Sequence, residues 1–173
     1  MTLLTHAEVK EFFIFNEKTG VFTWRKRRGN IKPHSVAGTP RDNLYLQIQF
    51  NGRLYRAHRL AWFYVHGQFP PEGMEIDHIN GDRADNRLVN LRLATRSQNM
   101  FNAKLLKNNT SGFRGVHKCA RSGLWIATFK MNGKINFLGR FSSLKEAANI
   151  AANARKNAVP EFYREVSLGK VVE

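Results

Sequence analysis

The fold of this chain is decided by residues 75–99, which read EIDHINGDRADNRLVNLRLATRSQN. Met74–His78 is strand-like, because apolar and β-favouring positions precede a polar end. Residues 80–86 are dense in turn-forming Asn, Gly and Asp, and residues 88–93 can return as a second strand. The stretch therefore predicts a β-hairpin, and the polar residues after it predict the start of a short helix.

That hairpin and helix would bring three chemically different side chains together. Thr95 or Ser97 can N-cap the helix, which carries Asn99. A carboxylate from Asp77 and an amide oxygen from Asn99 can hold one hard cation, while the imidazole of His78 faces the same space. A divalent ion stabilises charge on a scissile phosphate, and a histidine with an ordinary pKa of about 6.5 deprotonates the attacking water. The pattern predicts metal-assisted phosphodiester hydrolysis with His78 as the general base.

Other interpretations of the same residues are weaker. The acidic and amide residues of 80–86 could serve only as turn formers, and a lone Asp-His pair is usually a surface hydrogen bond. The complete constellation in one register favours the functional interpretation. Calcium fits poorly, because Asp82, Asp85 and Asn86 lack the alternating ligands and the terminal Glu of a helix-loop-helix site. Zinc bound through thiolates is excluded, because Cys119 is the only cysteine.

These motifs resemble the HNH nucleases, also called the ββα-metal or His-Me finger group, and especially the phage-type HNH homing endonucleases. The matching positions are residues 77–82, 86–87, 90–92 and 99. The resemblance implies that His78 is the general base, that Asp77 and Asn99 ligate the metal, and that Asn90 braces the loop and orients the base. It also implies Mg²⁺ as the cofactor, with Mn²⁺ as the alternative. Asn99 stands where the family's name-giving His would be, which leaves the metal preference open.

Charge points to a polyanionic partner. The 173 residues carry 28 Lys and Arg against 13 Asp and Glu, a formal net charge of +15. The part up to Leu106 has 16 basic and 9 acidic residues, and the part after it has 12 and 4. Both halves are therefore expected to contact phosphates, and double-stranded DNA is the expected partner.

Composition also limits the cellular setting. Apolar residues make up 42% of the chain, enough for packed cores. No stretch approaches ~20 apolar residues and the N-terminus has no signal-peptide pattern, so we expect a soluble protein with no membrane partner. The phage resemblance implies action in the cytoplasm of the host cell, with which a single cysteine agrees. The choice between monomer and weak dimer stays open, as does the choice between nicking and double-strand cleavage.

The N-terminal part predicts several local elements. Thr5 and Glu8 form a capping box, so a helix is expected over residues 5–15. Val21–Trp24 follows as a strand. The densest basic run comes next, and it is either a solvated loop or a phosphate or minor-groove contact. Its members are Arg25, Lys26, Arg27 and Arg28.

A second hairpin and a buried helix complete this part. Alternating strands at 44–50 and 53–57 flank Asn51-Gly52, the strongest two-residue hairpin signal. Residues 59–66 have the apolar content of a buried helix that ends at Gly67. His58 and His66 either hydrogen-bond in the core, which is favoured, or help to position phosphate. Together with the block from Asp77, these elements resemble phage HNH proteins over roughly residues 19–102.

The C-terminal part has a different pattern. Residues 103–109 lack a clear period and predict a linker. Strands at 113–118, 124–131 and 134–139 predict a three-stranded meander, and Ser143 caps an Ala-rich helix that reaches about Ala158.

The motifs SGFRGV at 111–116, WIA at 125–127, LGRF at 138–141 and EAA at 146–148 resemble the Apetala-type DNA-binding domain of plant ethylene-response factors. That family lays its sheet into the major groove. The resemblance implies these DNA contacts: Arg114, His117, Lys118, Arg121, Trp125, Lys130 and Lys134. Several Arg positions of the plant family are not Arg here, so the plant target sequence does not transfer. Strand alternation equally allows Trp125 to be a core aromatic on the face of Ala127.

The sequence thus predicts the α+β class. An N-terminal ββα-metal nuclease domain would occupy residues 1–102, with a linker at 103–109, a small sheet-and-helix DNA-binding domain at 110–165, and a tail at 166–173. The expected function is a metal-dependent DNA endonuclease of the homing type. The alternatives are a nonspecific phage nuclease and a non-enzymatic DNA-binding regulator that keeps the fold.

Overall fold

The computed structural model describes residues 4–41, 45–103, 105 and 108–163. Small antiparallel sheets and four α-helices make up these residues, so the α+β class is confirmed. The chain divides into two compact units, residues 1–95 and 96–173. This boundary comes earlier than the predicted one at residue 102. Residue 44, part of the predicted linker and the predicted tail at 166–173 lie outside the described residues. None of the described helices is both long enough and apolar enough to cross a membrane.

The first unit consists of two helices and three small sheets. Strands β1, β2 and β3 form one sheet, β4, β5 and β6 a second, and β7 and β8 a third. The elements are α1 (His6–Phe12), β1 (Phe13–Asn16), β2 (Val21–Trp24), β3 (Val36–Ala37), β4 (Thr39–Pro40), β5 (Leu46–Phe50), β6 (Arg53–Arg56), α2 (Ala57–His66), β7 (Met74–His78) and β8 (Leu91–Thr95).

Helix α1 begins as predicted and ends early. The backbone N–H of Glu8 donates to Thr5 Oγ1 at 3.2 Å, and the backbone N–H of Thr5 donates to Glu8 Oε2 at 2.8 Å. This capping box is confirmed. The predicted end at residue 15 is wrong, because Phe13 is extended at φ −124° and pairs with Trp24 as the first residue of β1. Antiparallel pairing of an aromatic-rich segment outweighs helix continuation here.

The β5–β6 hairpin follows its turn chemistry. Asn51 and Gly52 have φ values of 48° and 74°, as the two central residues of a type I′ turn require. The hairpin prediction is confirmed over the described residues. Helix α2 starts directly after β6, slightly before the predicted start at residue 59. It ends where Gly67 adopts the left-handed conformation, as expected.

The β7–β8 hairpin carries the decisive stretch. Strand β7 has the predicted bounds, and His78 pairs with Leu91 while Asp77 pairs with Arg92. The returning strand begins at Leu91 rather than at residue 88. Leu88–Asn90 instead forms one turn of 3-10 helix, which brings the chain back towards β7.

Aromatic side chains dominate the core of the first unit. Phe13 is fully buried, with its ring centroid 4.6 Å from that of Trp24 and 5.2 Å from that of Phe50. The rings of Phe15 and Phe22 are tilted by 30° against each other, with centroids 4.6 Å apart. Residues of β1, β2, β5, α1 and α2 thus share one core, against which Ile76 of β7 and Leu91 of β8 are also buried.

The second unit contains the predicted meander and helix. The sheet order is β11, β10, β9, and its strands are antiparallel. Ser143 caps the last α-helix, accepting a hydrogen bond from the backbone N–H of Glu146 at 3.3 Å. The elements are α3 (Arg96–Asn102), β9 (Val116–Lys118), β10 (Trp125–Met131), β11 (Lys134–Phe141) and α4 (Leu144–Ala158), with a 3-10 turn at Pro160–Phe162.

Small side chains let α4 pack closely on this sheet. Ala127 of β10 is fully buried, as are Ala147 and Ala151 of α4. Val116 of β9 completes the centre of this core, and Trp125 packs against it partly buried. The alanine stripe is thus a packing surface.

Candidate active site

Asp77 and Arg92 form a buried ion pair at the end of the β7–β8 hairpin. Arg92 donates from Nε and Nη2 to Asp77 Oδ2, at 2.9 and 2.7 Å. The two residues are direct cross-strand neighbours, and Asp77 is only 4% exposed. A carboxylate removed from water to this degree requires a positive partner.

The loop after His78 is closed by the amide of Asn90. Asn90 Nδ2 donates to Asn80 Oδ1 at 3.0 Å and to the carbonyl oxygen of Asp85 at 2.8 Å. In return, the backbone N–H of Asn80 donates to Asn90 Oδ1 at 3.0 Å. Hydrogen bonds from Arg87 hold the pKa of Asp85 at about 2. Asn90 therefore holds both ends of the loop together, and its effect on the base stays a prediction.

Asn86 holds the imidazole of His78 and was not singled out from the sequence as a site residue. Its Oδ1 lies 3.1 Å from His78 Nε2, and its side chain is 1% exposed. Because an amide oxygen only accepts, this bond requires a proton on Nε2, which leaves Nδ1 as the basic nitrogen of the neutral ring. Asn86 looked like one of several turn formers, and nothing local distinguished it from Asn80.

A turn distant in sequence supports this loop. Gly20, at φ +72° between β1 and β2, packs so closely that a Cβ there would lie 2.4 Å from the backbone nitrogen of Arg87 and 2.5 Å from the carbonyl carbon of Asn86. The backbone N–H of Leu88 donates to the carbonyl oxygen of Glu17 at 3.1 Å. The β1–β2 turn is thus a backbone support for the segment that holds His78.

Two further rings contact His78. The His58 ring lies edge-on to it at 5.0 Å, and the Tyr45 ring lies 5.0 Å from His58 and 6.0 Å from His78. Burial lowers the pKa of His58 to about 3, helped by the positive charges of Arg56 and Arg59. Burial also lowers the pKa of His78, which keeps this imidazole neutral. His58 is thus a buried, neutral ring beneath the candidate base.

His66 has a different environment from His58. It is exposed at the end of α2, and its ring is tilted by 33° against that of Trp62, with ring centroids 4.1 Å apart. His66 therefore takes no part in the ring cluster around His78.

Asp77 offers an oxygen donor of the kind that a hard divalent cation prefers. Among the described residues there is no group of three His, Cys, Asp or Glu side chains arranged to hold a metal. A buried carboxylate at Asp77 and an amide at Asn99 are oxygen donors, and Mg²⁺ is commonly bound by one or two protein oxygens while it keeps several waters. The carboxylate of Asp77 therefore fits a hard divalent cation, and the identity of the ion stays a prediction. Asn99 lies on α3 in the second unit, and its role as a ligand stays a prediction.

The basic run at 25–28 is partly used inside the first unit. Lys26 Nζ pairs with Glu11 at 2.6 Å. The Arg28 guanidinium lies 4.8 Å from the Phe50 ring centroid and donates to Asn51 Oδ1 at 3.1 Å. Arg25 and Arg27 are exposed. DNA contact by this run stays a prediction, and the two exposed arginines are its best candidates.

The predicted DNA contacts of the second unit fall into two groups. Arg114 is partly buried and donates to the backbone carbonyls of Met100 and Ala103, so it ties the end of α3 to the loop before β9. Trp125 packs on the α4 side of the sheet with Lys118 over its ring, at 5.6 Å. The remaining predicted contacts are exposed: His117, Arg121, Lys130 and Lys134.

The outer face of the sheet carries two exposed apolar residues that were not predicted from the sequence. Phe137 is 60% exposed and pairs with Thr128, and Ile135 is 70% exposed and pairs with Lys130. A β-bulge after Ala127 shifts the register, so these side chains point away from α4. Strand alternation alone did not indicate this, because the bulge reverses the faces beyond it.

The buried Asp-His pair, braced by an asparagine loop, is an arrangement suited to nuclease chemistry. Residues 55–101 match the family model described as HNH endonuclease. The HNH resemblance is therefore confirmed for this segment, which contains Asp77, His78, Asn90 and Asn99.

The chain is also similar to Protein 3.8 of Escherichia phage T7. The two are 38% identical over 79 residues, which is 46% of this chain and 64% of the relative. The chain thus spans less than two thirds of that relative's length. No solved structure matches.

The support given by the β1–β2 turn can be tested at Gly20. Gly20→Ala places a Cβ against the backbone of Asn86 and Arg87, so we expect loss of about 3 kcal/mol or more of unfolding free energy from strain and overpacking combined. Gly52→Ala is the matched control, with a φ of 74° and no atom within 4 Å, and it should cost only about 1–2 kcal/mol. Urea unfolding measures both, and equal losses would contradict the proposed support.

The buried state of His58 predicts a pH effect on stability. Its folded pKa of about 3 lies below the ordinary value of 6.5. Between these two pH values, His58 is therefore protonated in the unfolded chain but not in the folded chain. Its contribution is present above pH 6.5 and is lost as pH falls towards 3. His58→Phe should reduce the slope of unfolding free energy against pH by about 1.4 kcal/mol per unit below pH 6. Urea unfolding at several pH values measures both slopes. Equal slopes for the wild type and His58→Phe would show that His58 takes up a proton in the folded state.

Proposed function

We propose that this chain is a metal-dependent DNA endonuclease of the phage HNH homing type. The observation that carries the proposal is the buried Asp77-His78 pair at the end of β7, within the segment that matches the HNH endonuclease family. The net charge of +15 supports DNA as the substrate. The expected place of action is the cytoplasm of the host cell.

His78 is the general base in this proposal. With Nε2 donating to Asn86, Nδ1 accepts the proton of the attacking water. Burial favours the neutral ring, which is the form that can accept this proton. Asn86 fixes the tautomer and the ring orientation, and Asn90 fixes the loop from which Asn86 comes. Asn90 therefore acts on the base indirectly.

Asp77 and Asn99 are the proposed metal ligands. The cation, Mg²⁺ or alternatively Mn²⁺, would supply stabilisation of the charge on the scissile phosphate and the leaving oxygen. Arg92 orients the Asp77 carboxylate, because its Nε and its Nη2 donate to the same oxygen, Oδ2. A carboxylate fixed in this way presents its ligand atoms in one orientation.

The second unit would supply affinity for the target site. Its outer sheet face combines exposed Lys130 with the exposed apolar side chains of Ile135 and Phe137. Cationic groups bind phosphates, and apolar groups contact thymine methyl groups in the major groove. This composition supports an Apetala-type use of the sheet on DNA. One nuclease site per chain favours nicking by a monomer, while a dimer would cut both strands.

The nuclease proposal predicts the behaviour of His78→Ala. Removal of the general base should lower the rate of cleavage at least ~100-fold, while DNA affinity stays within about twofold, because His78 is 4% exposed. The assay uses supercoiled DNA, including DNA of the source genome, with Mg²⁺, Mn²⁺ or EDTA.

His66→Ala is the control for that assay, since His66 is exposed and distant from the ring cluster. It should cleave at the wild-type rate. Binding by the wild-type protein without cleavage in either metal would favour the rival function, a DNA-binding regulator that keeps the nuclease fold.

The role of the second unit predicts a change in salt dependence. Lys130→Gln combined with Lys134→Gln should reduce the magnitude of the slope of log affinity against log salt by up to about 1.8, or about 0.9 for each lost phosphate contact. Lys156→Gln, exposed in the last turn of α4, is the control and should leave the slope unchanged. Fluorescence anisotropy with duplex DNA measures this slope. A double variant with the wild-type slope would rule out phosphate contact by these two lysines.

A further inference from the structure

The ring of Tyr45 is contacted by two guanidinium groups. The Arg56 Cζ lies 5.0 Å and the Arg83 Cζ 4.9 Å from its centroid, both within cation–π range. The same ring lies 5.0 Å from His58 and 6.0 Å from His78. Two arginines, one tyrosine and the candidate base thus form one continuous cluster.

Three separate segments build this cluster. Arg56 ends β6 and pairs with Gln47, and Tyr45 lies two positions before Gln47, so strand alternation brings it to the same side of the sheet. Arg83 comes from the loop after β7 that Asn90 braces. Tyr45 is itself anchored, because its carbonyl oxygen accepts a hydrogen bond from the backbone N–H of Arg41 at 3.2 Å. The cluster is therefore fixed by the fold around it.

Burial decreases outward through the cluster. His58 is 5% exposed, Tyr45 is partly buried, and the two arginines are exposed. The rings of His58 and Tyr45 are therefore the more buried part of the cluster, and the two guanidinium groups are its exposed part. Elsewhere in this region arginines are neutralised, since Arg87 pairs with Asp85 and Arg92 with Asp77. Arg56 forms no ion pair within the part of the chain that the structure describes.

We propose that Arg56 and Arg83, ordered on the Tyr45 ring, form a clamp that binds a backbone phosphate of duplex DNA beside the bond whose hydrolysis His78 assists as general base. Guanidinium groups bind phosphate oxygens in a bidentate manner, and stacking on an aromatic ring reduces the side-chain freedom lost on binding. The position beside His78 makes this phosphate a neighbour of the scissile one. The proposal rests on the nuclease function above and adds the residues that position its substrate.

The clamp is tested by DNA binding in EDTA, which separates it from catalysis. Affinity of the full chain for a fluorescein-labelled duplex is measured over a range of salt concentrations, because phosphate contacts do not depend on sequence. Arg56→Gln and Arg83→Gln should each weaken binding, and the double variant should reduce the magnitude of the log-log slope by about 0.9 for one shared phosphate. Tyr45→Leu should weaken binding as well, whereas Tyr45→Phe, which keeps the ring, should bind like the wild type.

Arg59→Gln is the matched control. Arg59 is also an exposed arginine over an aromatic ring, 5.7 Å from Phe69, and that ring is not part of the cluster beside His78. It should keep the wild-type slope. Thermal unfolding checks that each variant is folded. If Arg56→Gln disturbs the start of α2, Arg83→Gln alone carries the test, because Arg83 is an exposed loop residue.

The outcomes separate the clamp from the nuclease. Folded variants that keep the wild-type slope of log affinity against log salt would contradict the clamp. The cluster would then serve only to stabilise the loop. If the wild-type protein cleaves DNA in that case, the nuclease proposal still stands. A reduced slope together with a wild-type protein that cleaves in neither Mg²⁺ nor Mn²⁺ would keep the clamp as a DNA-binding surface and remove the nuclease function.

Discussion

The packing of the β1–β2 turn against the loop after His78 is the constraint on which the candidate site depends. Only a glycine fits at position 20, since a side chain there would overlap the backbone of Asn86 and Arg87. That contact fixes Asn86, and Asn86 fixes the imidazole of His78. A buried amide that bonds a buried ring leaves little freedom to either. The orientation of the base is therefore set by a turn about sixty residues earlier in the chain.

Electrostatics at the hairpin follow from burial. Asp77 is almost completely removed from water, and Arg92 supplies its compensating charge directly across the strand pair. On the other side, burial lowers the pKa of both His58 and His78, and the charges of Arg56 and Arg59 lower the pKa of His58 further. Asp77 therefore lies in an ion pair, while the imidazoles next to it are neutral. Adjacent positions in the sequence, Asp77 and His78, thus have different electrostatic environments.

The sequence predicted the local elements well and the long-range contacts poorly. The capping box at Thr5, the Asn51-Gly52 turn and the bounds of β7 depend on neighbours within a few residues, and each was confirmed. The end of α1 was wrong, because pairing with Trp24 decides it. The contributions of Asn86 and Tyr45 were missed for the same reason. Their contacts are with residues distant in the sequence or on other elements, and neither a turn-forming Asn nor a Tyr next to a strand is marked locally as functional.

The net charge also overstates the number of arginines and lysines that remain for DNA. Lys26 pairs with Glu11, Arg92 with Asp77, and Arg114 donates to backbone carbonyls at the end of α3. These cations stabilise the fold, and phosphate would have to displace an existing partner to reach them. Arg56 forms no ion pair among the described residues. Its guanidinium lies over the Tyr45 ring, which is 6.0 Å from the ring of His78. Position relative to His78, more than the total of +15, therefore separates cations that can orient a substrate from those that merely attract it.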